Sequence, residues 1–351
     1  MTSNTSLLRY KADRRTLAFI SLYYVLAYGG FFLFDTFYET HFWSILVPIC
    51  VLASFFCFFV AVIIHNTVHA PIFVNKSHNK IMQYVLSLGY GYSVSAFVPG
   101  HNFSHHKELE TAKDTMRTSK ARFKWHLLNQ MFFFFLITSG ALKYELKWAA
   151  KMKKEKPEWH RQWLTEGILV NIVKVGSLFV NLPAAIMFIW VPHFYALWAL
   201  MGVNLWQHDG CDPEHKYNHS RTFTGKVMNY LCFNNGYHGA HHDRPSLHWS
   251  LLPDYHDKYI EPYIHPNLSI NNMPAYFWKT YIYPGKRIMY DGSSYVLAPA
   301  IPDEDWTEDI MVNNKAHKYD FGAESVSLDS MLDLTRDEDE VTVKDEALQQ
   351  A

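Results

Sequence analysis

After a polar start, residues 17–37 and 43–64 form two nearly uncharged apolar stretches. Each approaches the roughly 20 residues that a helix needs to cross a hydrocarbon core. The connector DTFYETHF is short, acidic and aromatic, whereas Arg9, Lys11, Arg14 and Arg15 precede the first stretch. Basic segments stay on the cytoplasmic side, so the pattern predicts a helical hairpin that returns the chain to the cytoplasm near His65. The opening polar residues and the length of the first stretch suit an anchor, and no cleavable signal peptide is expected.

The next apolar material is weaker. Residues 81–98 are interrupted by Gly89, Gly91 and polar positions, and residues 127–142 are short and Phe-rich. The strongly basic run KYELKWAAKMKKEKPEWHR follows at 143–161. A crossing at 127–142 would put that run outside, against the positive-inside trend. Both segments are therefore expected as interfacial or re-entrant helices. Residues 164–205 are long enough for two more spans, with Asn181-Leu182-Pro183 as the turn, although Lys174 must then face protein or water.

The expected fold is an all-α integral membrane protein with about four transmembrane helices, interfacial helices and a cytosolic histidine-rich cap. A cytosolic N-terminal segment (1–16) precedes a membrane domain (17–253) and a cytosolic cap extension (254–319). The acidic end, 320–351, is expected to be disordered.

Composition agrees with a mixed chain: hydrophobic residues are 49% and aromatics 17%, yet mean hydropathy is only −0.12. A net charge of −1 gives no electrostatic case for nucleic acid. Four cysteines, two of them (Cys50 and Cys57) in an apolar run, form neither a disulfide framework nor a zinc ribbon. GYGYS at Gly89 lacks the strand-then-helix setting of a dinucleotide fingerprint.

The chemistry is concentrated in histidine, 20 of 351 residues. HNTVH places His65 and His69 at i, i+4 at the end of the second span, where both rings share one helix face. HNFSHH supplies His101, His105 and His106, and HGAHH supplies His238, His241 and His242. At this histidine content a three-His pattern of fixed spacing arises by chance about 0.06 times per chain, so two of them resist coincidence. NLWQH adds His208, with Asn204 one turn earlier. With the spans placed, all four groups fall on one face of the membrane. Nine imidazoles exceed what one four- to six-coordinate ion can take, so two metal ions are implied. Imidazole suits Zn, Cu, Fe and Ni alike. Asp114, Asp209 and Asp243 lie close enough in sequence to accept the outer ring N–H groups, or else are ordinary loop carboxylates. The other eleven histidines, among them His193 inside the fourth span and His126, His215, His219, His248 and His256 near the motifs, match no ligand spacing.

HNTVH, HNFSHH and HGAHH resemble the three histidine boxes of the membrane fatty acid desaturase and hydroxylase superfamily. NLWQH resembles that superfamily's additional ligand site, in which the Asn binds metal through water. HHKELETAKD (105–114) is similar to the run after the second box of acyl-CoA desaturases, and RPSLHW with LLP resembles bacterial-type members. The likeness runs from about residue 17 to 253. It implies a di-iron centre held by the nine histidines, with Asn204 as a water-mediated ligand, and O2 as co-substrate. It also implies a lipid or acyl-chain substrate between the spans, and electrons from a separate donor of cytochrome b5 or ferredoxin type, since no HPGG haem motif is present.

The expected activity is desaturation of a fatty acyl lipid or thioester, at the cytoplasmic face of the endoplasmic reticulum in a eukaryote or of the inner membrane in a bacterium. Hydroxylation or ketolation of a fatty acyl, sterol or carotenoid-like substrate is the alternative within the superfamily. The third box begins with His238 rather than Gln, unlike front-end desaturases, and the first lacks the HE start of alkane hydroxylases. A non-catalytic zinc-binding receptor would need only three or four ligands, and a metal transporter would hold its ligands nearer the bilayer midplane. The basic run 143–161 reads either as a docking site for the donor or as a positive-inside anchor.

Overall fold

The computed structural model describes residues 7–310; the expected acidic tail lies outside them. Helix α1 (Asp13–Phe32) stops at Leu33, whose φ of −91° and ψ of 2° break the helical run. Helix α2 (Phe34–His41) follows and continues through a widened turn, Phe42–Leu46, into α3 (Val47–Thr67). Helix α4 (Lys76–Tyr90) starts on Asn75, whose side chain accepts from the Ser77 N–H. It ends at Gly91, φ 76°, where a side chain would collide with the His193 ring. A short α5 (Val94–Val98) then runs into a wide helical turn, Pro99–His105. The apolar segment at 81–98 is thus two helices folded at a glycine.

Helix α6 (His126–Glu155) is a single 30-residue helix that carries the Phe-rich segment straight into the basic run. Helix α7 (Pro157–Val180) ends at Asn181, whose side chain accepts from the Ala184 N–H and starts α8 (Leu182–Ala185). A second widened turn, Ile186–Trp190, leads into α9 (Val191–His208). The turn expected at 181–183 therefore coincides with an Asn cap.

Three helical stretches among the described residues are long and apolar enough to cross a membrane: Phe34–Thr67, Pro157–Val180 and Leu182–His208. Helix α1, on which the first expected span falls, packs along α3 but is not among them. Only 11% of the apolar window of α7 is buried. Its Leu164, Ile168, Ile172 and Phe179 face outward, a surface that lipid would cover. Lys174 places its ammonium 4.7 Å from the centre of the Trp190 ring, a cation–π contact that partly answers its cost on an apolar helix.

Beyond α9 the chain forms short elements: β1 (Thr222–Phe223), α10 (Lys226–Leu231), α11 (His238–Asp243), α12 (Leu252–Tyr259), β2 (Ser269–Ile270) and α13 (Met273–Phe277). The two strands pair in parallel, Thr222 with Ser269 and Phe223 with Ile270. The main core joins α1, α3, α4 and α9 to α11 and α12 through Tyr23, Val60, Ile64, Leu86, Ala240 and Leu252. A polar clasp fixes the start of α1 to the segment after α11. Asp13 accepts from His248 Nε2 and Trp249 Nε1, both at 3.1 Å. A second core packs Phe103, Tyr144, Trp148 and Trp159 against Trp306 and Ile310.

Candidate metal centre

Three features of local geometry aim the histidines inward. The last turn of α3 projects His65, and the chain curls back so that His69 lies beside it, ring centroids 5.8 Å apart. The wide turn Pro99–His105 carries His101 and His105, with His106 as its cap. Helix α11 is barely longer than its own motif and presents His238, His241 and His242.

These rings form two groups, and within each group the donor atoms lie within 4.8 Å of one another. The first holds His65, His69, His101, His106 and His241; the second holds His105, His208, His238 and His242. The second and third motifs are split between the groups. Adjacent residues on a helical turn point about 100° apart. A doubled histidine can therefore feed two neighbouring sites, as His105 and His106 do, and His241 and His242. The sites adjoin: the rings of His106 and His242 stack with centroids 4.2 Å apart.

The inner nitrogens face one another rather than protein donors or acceptors. His106 Nε2 lies 3.1 Å from both His101 Nε2 and His241 Nε2. In the second group His238 Nε2 lies 2.8 Å from His208 Nε2 and 3.1 Å from His242 Nε2. A neutral imidazole has one N–H and one lone pair, so a ring flanked by two such nitrogens cannot pair with both through single protons. His69 has neither ring nitrogen paired, and His105 Nε2 is also buried without a partner. Burial, and then the neighbouring imidazoles, hold His69, His101, His106, His238, His241 and His242 well below the ordinary imidazole range. Neutral rings with convergent, unshared lone pairs are what a pair of cations requires.

Outer partners set the orientation of several rings. Asp114 is fully buried and accepts from His105 Nδ1 at 3.1 Å and from the Glu110 and Met116 N–H groups. Burial pushes its carboxyl up, but His105 and the two N–H groups outweigh this and hold it below its ordinary value. Its charge directs the His105 N–H outward and leaves the inner lone pair free. His208 Nδ1 donates to the His219 carbonyl at 3.0 Å, with the same effect. The amide of Asn235 lies 2.6 Å from His65 Nδ1 and is itself held by Gln207. The Asn235 amide nitrogen faces the ring, and its oxygen accepts from Gln207 Nε2 at 3.2 Å.

The other two aspartates point elsewhere. Asp209 pairs with Arg287 and accepts from Tyr295, with His126 Nε2 at 3.4 Å. Asp243 accepts from Tyr255 at 2.6 Å. Asn204 donates to the Met116 carbonyl at 3.0 Å and lines a cavity beside the rings. His193 lies apart from both groups and meets the Tyr23 hydroxyl at 3.0 Å. Asn235, Gln207 and the His219 carbonyl were not singled out from the sequence. Asn235 had one usable signal, its place three residues before His238.

The cavity, about 30 Å³, has room for a water molecule or two. Its lining combines His65, His101, His105, His238, Asn204, Gln207 and Asn235 with the apolar Phe97, Met116, Leu200, Met201 and Val203. Imidazoles meet hydrocarbon there without an intervening charged side chain.

Comparison with known proteins agrees with this geometry. The model of the family described as fatty acid desaturase matches residues 40–271, which contain all nine clustered histidines. No curated protein matches the chain. The match covers well over half of the sequence, so the chain belongs to the fatty acid desaturase family.

Proposed function

We propose that this protein is an integral membrane oxygenase that desaturates an acyl chain with two iron ions and O2. The observation that carries the reading is the grouping of nine buried or half-buried histidines into two adjoining sites beside a cavity with apolar lining. His65, His69, His101, His106 and His241 would hold one ion, and His105, His208, His238 and His242 the other, with Asn204 reaching the centre through water. Two bound iron ions would supply the reduction of O2 that drives removal of hydrogen from an unactivated C–H bond.

The chain's own residues do the rest. Asp114 and the His219 carbonyl keep the outer nitrogens of His105 and His208 protonated, which fixes the tautomer each ligand needs. Phe97, Leu200, Met201 and Val203 line the cavity and would give a methylene group of the substrate dispersion contact. No side chain in the cavity offers a cation or carboxylate to a head group, which supports an apolar segment of substrate there.

Helix α1, packed on α3, would complete four crossings, and the basic residues before it favour the cytoplasmic face for the metal centre. That face would receive electrons from a separate donor. The reading is tested in a lipid-producing host by combined metal and fatty-acid analysis. About two iron per chain and a product lighter by about two mass units are expected. A product heavier by about sixteen would make it a hydroxylase, and one zinc without iron would sink the oxygenase altogether.

A further inference from the structure

Residues 287–310 lie wholly beyond the family match, yet they run against the loop that follows His208 and the loop that sets Asp114 behind His105, two ligands of the four-histidine site. At one end, Arg287 pairs with Asp209, the residue after His208, and donates to the Ala121 carbonyl. The two side chains are 8% and 5% exposed, so the pair is closed off from water. Tyr290 N–H donates to the Gly210 carbonyl at 2.8 Å. Gly210 adopts φ 72°, and a Cβ there would meet the Ile288 carbonyl at 2.5 Å.

At the other end, Asp303 pairs with Arg117 and Lys120. Arg117 also donates to the Asp114 carbonyl at 3.1 Å and to the Ile301 carbonyl at 2.7 Å. Glu304 N–H donates to the Ala112 carbonyl at 2.9 Å. The loop so held, residues 112–120, is the one that presents Asp114 to His105. Trp306 then packs on Trp148, and Lys151 donates to the Thr307 and Ile310 carbonyls, anchoring the segment along α6.

We infer that this C-terminal strap is a positioning device for the four-histidine site, with Arg287 setting the loop end of His208 and Asp303 setting the Asp114 loop behind His105. The inference rests on the metal reading proposed above. Among the described residues the strap makes no comparable hydrogen bond or ion pair to the segment of His65 and His69, so its main effect falls on the four-histidine site. Gly140 on α6 offers a separate handle: a Cβ there would intrude on the Asp303 carboxylate, while alanine suits the helix better than glycine.

The test uses the full-length chain in detergent, titrated with ferrous iron in the absence of oxygen and followed by metal content and hydrogen exchange. Arg287→Ala, Asp303→Asn and Gly140→Ala should each weaken one of the two sites by about 10- to 100-fold and leave the other loaded. Exchange should rise at residues 107–120 for Asp303→Asn and Gly140→Ala, and at 205–212 for Arg287→Ala, with or without metal. Arg287→Lys should restore part of the affinity. Variants that load both sites like the wild type, with unchanged exchange, would overturn the strap while leaving the functional reading intact. A wild-type chain that fails to bind two ions would instead overturn the functional reading, and the metal-free exchange result would still judge the strap.

Discussion

His65 and His69 reach the five-histidine site from the last turn of α3 and the residues just after it, within one continuous stretch of chain. The four-histidine site is assembled differently. His208 ends α9, His105 ends a wide turn, and their outer nitrogens are held by the His219 carbonyl and the Asp114 carboxylate. Both sites draw ligands from the Pro99–His105 turn and from α11, so they differ in what stands behind the rings: an amide behind His65, a loop carboxylate behind His105. His65, on a helix end, inherits the rigidity of the core around Ile63 and Ile64. His105 depends on a polar fastening, and the buried charge of Asp114 supplies it at the risk of large losses when one partner is removed.

The largest effect on this comparison comes from removing one ligand on each side. His241→Ala and His105→Ala should each abolish turnover while the protein stays in the membrane, with the metal-to-protein ratio falling on one side only. Retained activity in either variant would remove that residue from the ligand set. Next comes Asp114→Asn, which keeps an acceptor for His105 but removes its charge. Metal affinity should fall about 10- to 100-fold at the four-histidine site alone, read by competition with a chelator. An equal loss at both sites would erase the distinction drawn above.

Acid sharpens the same contrast. The lowered rings His69, His101, His106 and His241 belong to the five-histidine site, and His238 and His242 to the other. In the unfolded chain each takes up a proton near pH 6.5, whereas the folded, metal-free protein keeps them neutral to much lower pH. Their contribution to stability is therefore fully present above about pH 6.5 and is lost as the pH falls below it. Thermal unfolding of the metal-free protein between about pH 7.5 and 5 should show this slope, and His241→Ala should make it shallower. A stability that rises on acidification would refute it. The smallest effect on metal is expected from His193→Ala. It should leave both ions bound and cost about 1–3 kcal/mol through the stranded Tyr23 hydroxyl. Loss of iron in that variant would place His193 in the centre.

Residue spacing made the ligand groups legible because a helical turn converts i, i+3 and i+4 directly into shared direction. It did not reveal that the second and third motifs divide between two sites, since that depends on how the Pro99–His105 turn and α11 meet in space. Apolar length identified the stretches that end at Thr67, Val180 and His208. It read the Phe-rich segment as short, because the basic residues after Leu142 mask a helix that continues to Glu155. Lys147 and Lys151 there reach Asp305 and the Thr307 and Ile310 carbonyls, partners more than 150 residues away. Asp209 shows the same limit: nearness to His208 in sequence suggested a link to the imidazoles, and a distant arginine took the carboxylate instead.

The doubled histidines carry a consequence for how such a centre can vary. His105 and His106 share one peptide unit, as do His241 and His242, yet serve different sites. Inserting or deleting a single residue upstream within either turn would rotate both rings together by about 100°, turning one toward the other's site and the second away from both. A change that shifts one site along the chain therefore costs the other as well, and the two sites stand or fall as a pair.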